Sequence, residues 1–236
     1  CEGAPRRRLS YVRREARADR FRTLTKRDLH HQVFDGIKAV VQAGFPSLKF
    51  DTVIIKGYND DELIDLIEYG KTVGGEVRFI EYMDVGGATD WSMNQVLSRA
   101  EMLEHIGRHY GEVTPIVENS VAPAERFRLP DGTSFGIIPS TTTPFCRSCD
   151  RSRLTADGMW YLCLYAKDGL DLRAPLRQGR SRDEIKSLIT AAWEGRADRG
   201  AEERKALEAL GLREQRLIEI NRLREDPHLE MHARGG

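Results

Sequence analysis

The stretch Leu48-Lys-Phe-Asp-Thr-Val-Ile-Ile55, followed after one turn and one helical pattern by Glu76-Val-Arg-Phe-Ile-Glu-Tyr82, decides the fold class. Both runs are short and rich in β-branched and aromatic residues, the composition of buried strands. Between them Lys56-Gly-Tyr-Asn-Asp60 reads as a turn. Asp60 is expected to cap a helix reaching about Gly70, with Leu63, Ile64, Leu66 and Ile67 as its apolar positions. Upstream, Leu29 to Ala43 carries Val33, Ile37, Val40 and Val41 at helical spacing, and Gly44 can end it. Helix, strand, helix, strand at this spacing predicts α/β organisation with parallel strands. Such folds gather their functional residues at the C-terminal ends of the strands. That puts Lys56 to Asn59 and Tyr82 to Gly86 at the rim of the candidate site.

Two positive charges lie within the strands, Lys49 and Arg78. A buried strand charge needs a partner. Either both line an interior and face an anionic ligand, or they pair with a helix or face outward; periodicity alone favours neither. Further along, Met102 to about Tyr110 is predicted helical. Pro115 to Pro139 reads as an irregular stretch with short strands and a Pro-Asp-Gly turn at Pro130. Ser181-Arg-Asp-Glu184 fits a capping box for a helix whose apolar face is Ile185, Leu188, Ile189 and Ala192. From Glu194 to Glu208 the sequence is polar and charge-laced.

A chain of 236 residues can bury roughly 70% of its potential surface and needs no disulfide staples. With 40% hydrophobic, 31% charged and 8% aromatic residues it reads as globular, not disordered. No apolar run is long enough to span a membrane, and the polar, basic start is not a signal peptide. The 37 basic and 37 acidic residues cancel, so net charge names no polyanionic partner. Locally, Cys1 to Arg27 holds ten basic residues against three acidic ones. No stacking pattern of aromatics accompanies them, so a solvated helix or unfolded end is expected rather than a nucleic-acid arm. The start at Cys1 leads to the expectation of a processed, cut or incomplete product. The remaining cysteines, Cys146, Cys149 and Cys163, are a poor disulfide framework, and a reducing cytoplasm is the expected setting.

Cys146-Arg-Ser-Cys149, then thirteen residues, then Cys163, is metal-site spacing. The two-residue gap lets both thiolates converge, and a hairpin from Leu154 to Trp160, turned at Asp157-Gly158, brings the third back. A structural zinc takes four protein ligands, and no fourth Cys or His lies in the hairpin. Three thiolates suit an iron–sulfur cluster with one iron left open. Cluster, zinc and plain packing thiols all stay open on spacing alone. Arg151 and Arg153 alternate, so an extended segment points both the same way, a good seat for phosphate. Their other reading is a solvated basic face.

Asp51 to Asp61, Val77-Arg-Phe-Ile-Glu-Tyr-Met-Asp-Val-Gly86, Pro144-Phe-Cys-Arg-Ser-Cys-Asp-Arg-Ser-Arg-Leu-Thr-Ala-Asp-Gly158, Cys163-Leu164, Leu170-Asp-Leu-Arg-Ala-Pro-Leu-Arg177 and the closing Gly235-Gly236 resemble the molybdenum cofactor biosynthesis protein A family, the radical S-adenosylmethionine GTP 3',8-cyclases. The resemblance runs from about Ala18 to the end. It implies an α/β fold: the C-terminal part of an incomplete (β/α)6 barrel plus a C-terminal iron–sulfur region. The implied division is a basic segment 1–17, a partial barrel 18–110, and a substrate-binding and cluster region 111–236. By motif, Cys146, Cys149 and Cys163 ligate a [4Fe-4S] cluster whose open iron binds the GTP base. Arg151 and Arg153 contact GTP, Lys49 and Arg78 match positions that contact its phosphates, and Met83 matches a position near S-adenosylmethionine. Gly235 and Gly236 match a double-glycine tail that reaches the active site and is needed for turnover.

The implied reaction is radical cyclisation of GTP to 3',8-cyclo-7,8-dihydro-GTP. It also requires S-adenosylmethionine, a second [4Fe-4S] cluster and a reductant. The family holds that second cluster with a Cys-x3-Cys-x2-Cys motif, which this sequence lacks, and the four preceding barrel strands are not matched. The expectation is therefore a C-terminal portion, inactive alone, whose open barrel associates as a homodimer or with the missing half. Two other classes are an accessory GTP-binding iron–sulfur chain and a zinc-stabilised nucleic-acid-binding module.

Overall fold

The computed structural model describes residues 18–45, 47–84, 91–118 and 121–212, with Asn221 and Glu225. The basic segment 1–17, Val85 and Gly86 at the expected rim, and the Gly235-Gly236 tail lie outside the described residues. The chain divides into two units, Cys1–Phe50 with Ile64–Val77, and Asp51–Leu63 with Arg78–Gly236. No helix among the described residues is long and apolar enough to cross a membrane.

Aromatic contacts build the first unit. Residues 18–25 are helical, and α1 spans His30–Gln42. Ring centroids lie 5.5 Å apart for Phe21 and His30, and 5.0 Å apart for His30 and Phe34. Phe34 meets Tyr69 of α2 (Leu63–Val73) at 5.4 Å, and Tyr69 lies 6.3 Å from Phe50 of β1 (Leu48–Ile54). Such pairs add about 0.5–1.5 kcal/mol each beyond their burial. β2 (Gly75–Glu81) opens on a position that only glycine fits, because a Cβ there would come within 2.0 Å of the Phe50 ring. α1 leaves Val33, Val40 and Val41 exposed.

Asp60 does not cap α2 as the sequence suggested. It opens a short 3-10 turn, Asp60–Glu62, and its carboxylate accepts the Gly57 N–H at 3.0 Å. Asn59 accepts the Ile55 N–H at 2.7 Å and donates to the Val53 carbonyl at 3.0 Å. These polar side chains are engaged in closing the turn after β1, where Gly57 has a φ of 77°.

The second unit centres on a mixed sheet. β3 (Thr114–Ile116), β4 (Glu125–Arg128) and β5 (Ser134–Ile138) complete the order β1-β2-β5-β4-β3. β2 pairs with β5 in parallel, but β5 with β4 and β4 with β3 run antiparallel. The cause is local: the Pro-Asp-Gly turn makes a hairpin of β4 and β5, with Leu129 N–H bonded to Thr133 O at 2.8 Å and Gly132 at φ 88°. Phe79, Phe127, Phe135, Ile137, Leu63, Met102 and Ile106 form its core. A second sheet has the order β6 (Arg153–Leu154), β7 (Met159–Tyr161), β8 (Leu170–Asp171), with the predicted hairpin pairing Leu154 with Trp160.

α3 spans Arg99–Tyr110, three residues earlier than the apolar pattern suggested. A Ser98/Glu101 capping box sets its start: Ser98 Oγ accepts the Glu101 N–H at 3.3 Å, and Glu101 Oε2 accepts the Ser98 N–H at 2.8 Å. The Lys56 ammonium donates to Glu101 Oε1 at 2.5 Å. That bond, then those from Ser98, lower the Glu101 carboxyl from its ordinary 4.5 to about 2.

Glu81 ends β2 in phase with Val77 and Phe79, fully buried. Its Oε1 accepts from Arg99 N–H at 2.8 Å and Thr142 Oγ1 at 2.6 Å. Its Oε2 accepts the N–H groups of Thr141 at 3.0 Å and Thr142 at 2.7 Å. Its carbonyl accepts from Ser140 Oγ at 3.0 Å. One carboxylate thus ties the end of β2 to the start of α3 and to the turn leaving β5.

Two outcomes follow for the isolated chain. Glu81→Gln turns one acceptor oxygen into an NH2 facing N–H donors. It should cost about 2–4 kcal/mol, read as a lower urea midpoint at unchanged m; a loss below about 0.5 kcal/mol would show those donors satisfied otherwise. Glu101 has a depressed folded pKa, so its contribution is present above the unfolded value near 4.5 and is lost as pH falls towards about 2. After solvent screening it is worth about 1 kcal/mol. The stability gap between wild type and Glu101→Gln should therefore close across that window; a pH-independent gap would refute the ion pair's role.

Candidate functional site

The turn Ser140–Thr142, locked on Glu81, leads four residues later to Cys146. Cys146–Ser148 forms one 3-10 turn, Cys149 follows it, and Cys163 lies just beyond β7. A cavity of about 370 Å³ opens here. Cys146, Cys149, Cys163, Arg78, Arg151, Arg153 and Met83 all line it. Seven of the ten site residues named from the sequence thus share one cavity. Lys49 is exposed on β1 and belongs to the other unit, and Gly235 and Gly236 are outside the described residues.

The arginines reach the cavity by different routes. Arg78 lies opposite Gly136 in the β2–β5 register, and a Cβ on Gly136 would come within 3.1 Å of Arg78 Cγ. The missing side chain gives Arg78 room to cross β5. Arg151 lies over the Phe145 ring at 4.6 Å, with one nitrogen 3.5 Å from Cys149 Sγ. Arg153 is half-buried, and its Nε is buried without a hydrogen-bond partner among the described residues. Burial first, and Arg151 second, press the Arg153 pKa downward. A buried donor left unbonded beside an open cavity is the kind of group a ligand satisfies.

The segment from Glu194 to Glu208, which the sequence left as polar and charge-laced, contains α6 (Gly200–Ala209), preceded by α4 (Arg173–Arg177) and the expected α5 (Arg182–Glu194). Its inward side is polar, so no apolar periodicity announces it. Arg204 is buried, and its Nε donates to Asp84 Oδ2 at 2.7 Å. Its guanidinium also covers the Tyr165 ring at 5.5 Å, while Tyr165 Oη donates to the Asp84 carbonyl at 2.7 Å. This knot holds α6 to the residues just after β2. No side chain caps α6, and its first N–H groups, from Ala201 and Glu202, reach the Cys146 sulfur. Burial still dominates and pushes the Cys146 thiol up. At Cys149 burial also acts upward. The Arg151 N–H and the guanidinium groups of Arg196 and Arg151 outweigh it, and the thiol falls below its ordinary value. Gly200 is tightly enclosed: a Cβ there would come within 2.5 Å of Tyr165 Cβ and 3.1 Å of Cys163 Sγ.

Sequence reading did not single out Glu81, Arg196, Asp198 or Ala201. Asp198 and Arg196 line the same cavity. Glu81 had a signal, a carboxylate in phase with Val77 and Phe79; Arg196 had none within its own segment. Among the described residues, no three His, Cys, Asp or Glu side chains converge as ligands of one metal ion, the arrangement a zinc site needs.

The family profile described as Molybdenum Cofactor Synthesis C matches residues 75–202. A protein named GTP 3',8-cyclase 3 from Mycobacterium bovis (strain ATCC BAA-935 / AF2122/97) is 51% identical over 235 residues, covering 100% of this chain and 61% of that protein. GTP 3',8-cyclase 1 from Mycobacterium tuberculosis (strain ATCC 25618 / H37Rv) is 52% identical over 218 residues, 92% of this chain and 60% of that protein. A GTP 3',8-cyclase from Aquifex aeolicus (strain VF5) is 39% identical over 176 residues, 75% and 52% of the two chains. The chain thus spans about three fifths of the length of these mycobacterial relatives. The match covers β2, the β4–β5 hairpin, all three cavity cysteines and the start of α6, and the chain belongs to the Molybdenum Cofactor Synthesis C family.

Proposed function

We propose that this chain supplies the substrate-holding part of a GTP 3',8-cyclase acting in molybdenum cofactor biosynthesis. The observation that carries the reading is the cavity of about 370 Å³, where three thiols and Arg78, Arg151 and Arg153 meet. In this reading residues 18–110 are part of an incomplete (β/α)6 barrel and 111–236 form the cluster region.

Cys146, Cys149 and Cys163 would hold a [4Fe-4S] cluster. Their failure to converge on one point is compatible with it, because each thiolate binds a different iron. The arginines beside Cys149 favour the thiolate form that such ligation needs there. When bound, the cluster supplies an open iron as a seat for the guanine base. Arg151 and Arg153 would contact the nucleotide, and Arg78 would neutralise its phosphates. Arg153 Nε would gain the partner it lacks among the described residues. Met83 would face S-adenosylmethionine, and Gly235-Gly236 would close on the substrate, a thin backbone able to approach a ligand. S-adenosylmethionine, its own [4Fe-4S] cluster and a reductant belong to the complete enzyme. The exposed Val33, Val40 and Val41 of α1 suit burial against a second copy or the remaining barrel.

Anaerobic reconstitution with iron and sulfide tests this. About four irons per chain are expected, with GTP bound in preference to ATP. Serine at Cys146, Cys149 or Cys163 should remove most of the iron. Arg153→Ala should keep the iron and weaken GTP about 10- to 100-fold by equilibrium dialysis. A chain that takes up no iron, or a loaded chain indifferent to GTP, overturns the proposal.

A further inference from the structure

The turn that carries Cys146 and Cys149 is weakly held by its own backbone. Its two hydrogen bonds, Ser148 N–H to Phe145 O and Cys149 N–H to Cys146 O, are both 3.3 Å long, and Phe145 supplies no side-chain cap. A turn this loose does not by itself fix a metal ligand. The tie comes from 47 residues away: Arg196 Nη1 donates to the Cys149 carbonyl at 2.6 Å. A hydrogen bond from a charged donor is about twice as strong as a neutral one.

Arg196 is itself held in place. Its guanidinium lies over the Trp193 ring at 5.0 Å, and Trp193 stacks on Trp160 of β7 at 6.4 Å and 20°. The hairpin that returns Cys163 therefore supports the arginine that grips Cys149. With Nη1 2.6 Å from the Cys149 carbonyl, the guanidinium also places its positive charge beside that cysteine. The motif resemblance gives Arg196 no role.

We infer that Arg196 is a positioning residue for the iron–sulfur site: it fixes Cys149 through the carbonyl and, by placing a permanent cation beside that cysteine, raises the reduction potential of the cluster held there. This rests on the cluster reading of the cavity. Potentials of such clusters follow hydrogen bonds to the sulfurs, net charge and exposure. Reduction adds negative charge, which a neighbouring guanidinium stabilises. Removing it favours the oxidised state.

The test uses the full chain, reconstituted anaerobically, as wild type, Arg196→Gln and Arg196→Lys. The readouts are iron per chain, midpoint potential by EPR-monitored redox titration, and the rate of iron loss to a chelator. Arg196→Gln removes the charge and should lower the potential by at least a tenfold change in the reduced-to-oxidised ratio at fixed poise, 59 mV for one electron. Arg196→Lys keeps the charge but loses the fork. It should hold a potential nearer wild type and release iron several-fold faster. A merely structural arginine would change occupancy while leaving the loaded fraction's potential untouched, and that result overturns the inference. If Arg196→Gln takes up no iron, Arg196→Lys decides, and a wild-type rate of iron loss overturns it. A wild-type chain that takes up no iron overturns the cluster reading and this inference with it; a loaded wild type with unchanged variants overturns only this one.

Discussion

A single buried carboxylate organises the second unit. Glu81 accepts four hydrogen bonds, from the N–H of Arg99, the N–H groups of Thr141 and Thr142, and the Thr142 hydroxyl. A buried charge without donors would cost several kcal/mol and fold badly, so the constraint runs both ways. The donors hold the carboxylate inside, and it draws the end of β2, the start of α3 and the turn after β5 to one point. The cysteine turn hangs from that point. Position, not reactivity, is what Glu81 contributes to the cavity.

Around the cavity the charges are unequal in kind. Arg204 is neutralised by Asp84 and acts as a bolt for α6. Arg196 is committed to the Cys149 carbonyl. Arg153 keeps a buried donor that nothing among the described residues satisfies. The cavity thus separates cations that build the wall from one that still seeks an acceptor, a distinction net charge hides completely.

β-branched and aromatic composition made β1 and β2 legible, and helical spacing of apolar residues made α1 and α5 legible, although neither helix fully buries a side chain. The Cys146–Cys163 hairpin was legible from Asp157-Gly158, since Gly158 takes a φ of 91°. What stayed hidden was polar packing. α6 turns a charged side inward, so periodicity reads it as solvated, and Asp60 serves the turn before it instead of the helix after it. The antiparallel part of the sheet was hidden for another reason: a hairpin turn declares two neighbours, not which strand they join. Of the site, the thiols and arginines could be read because their spacing is local. Arg196 could not, because its partner lies 47 residues away.

The Arg204–Asp84 pair joins residues 120 positions apart. A growing chain leaves the ribosome from its N-terminus at about 5–20 residues per second. Asp84 therefore waits roughly 6 to 24 s for its partner at that rate. All three thiols emerge within that interval, before α6 can dock behind them. Closure of the cavity behind the thiols thus depends on a long-range contact rather than on local turns. The nascent protein passes through a period in which its sulfurs are made but not yet walled in.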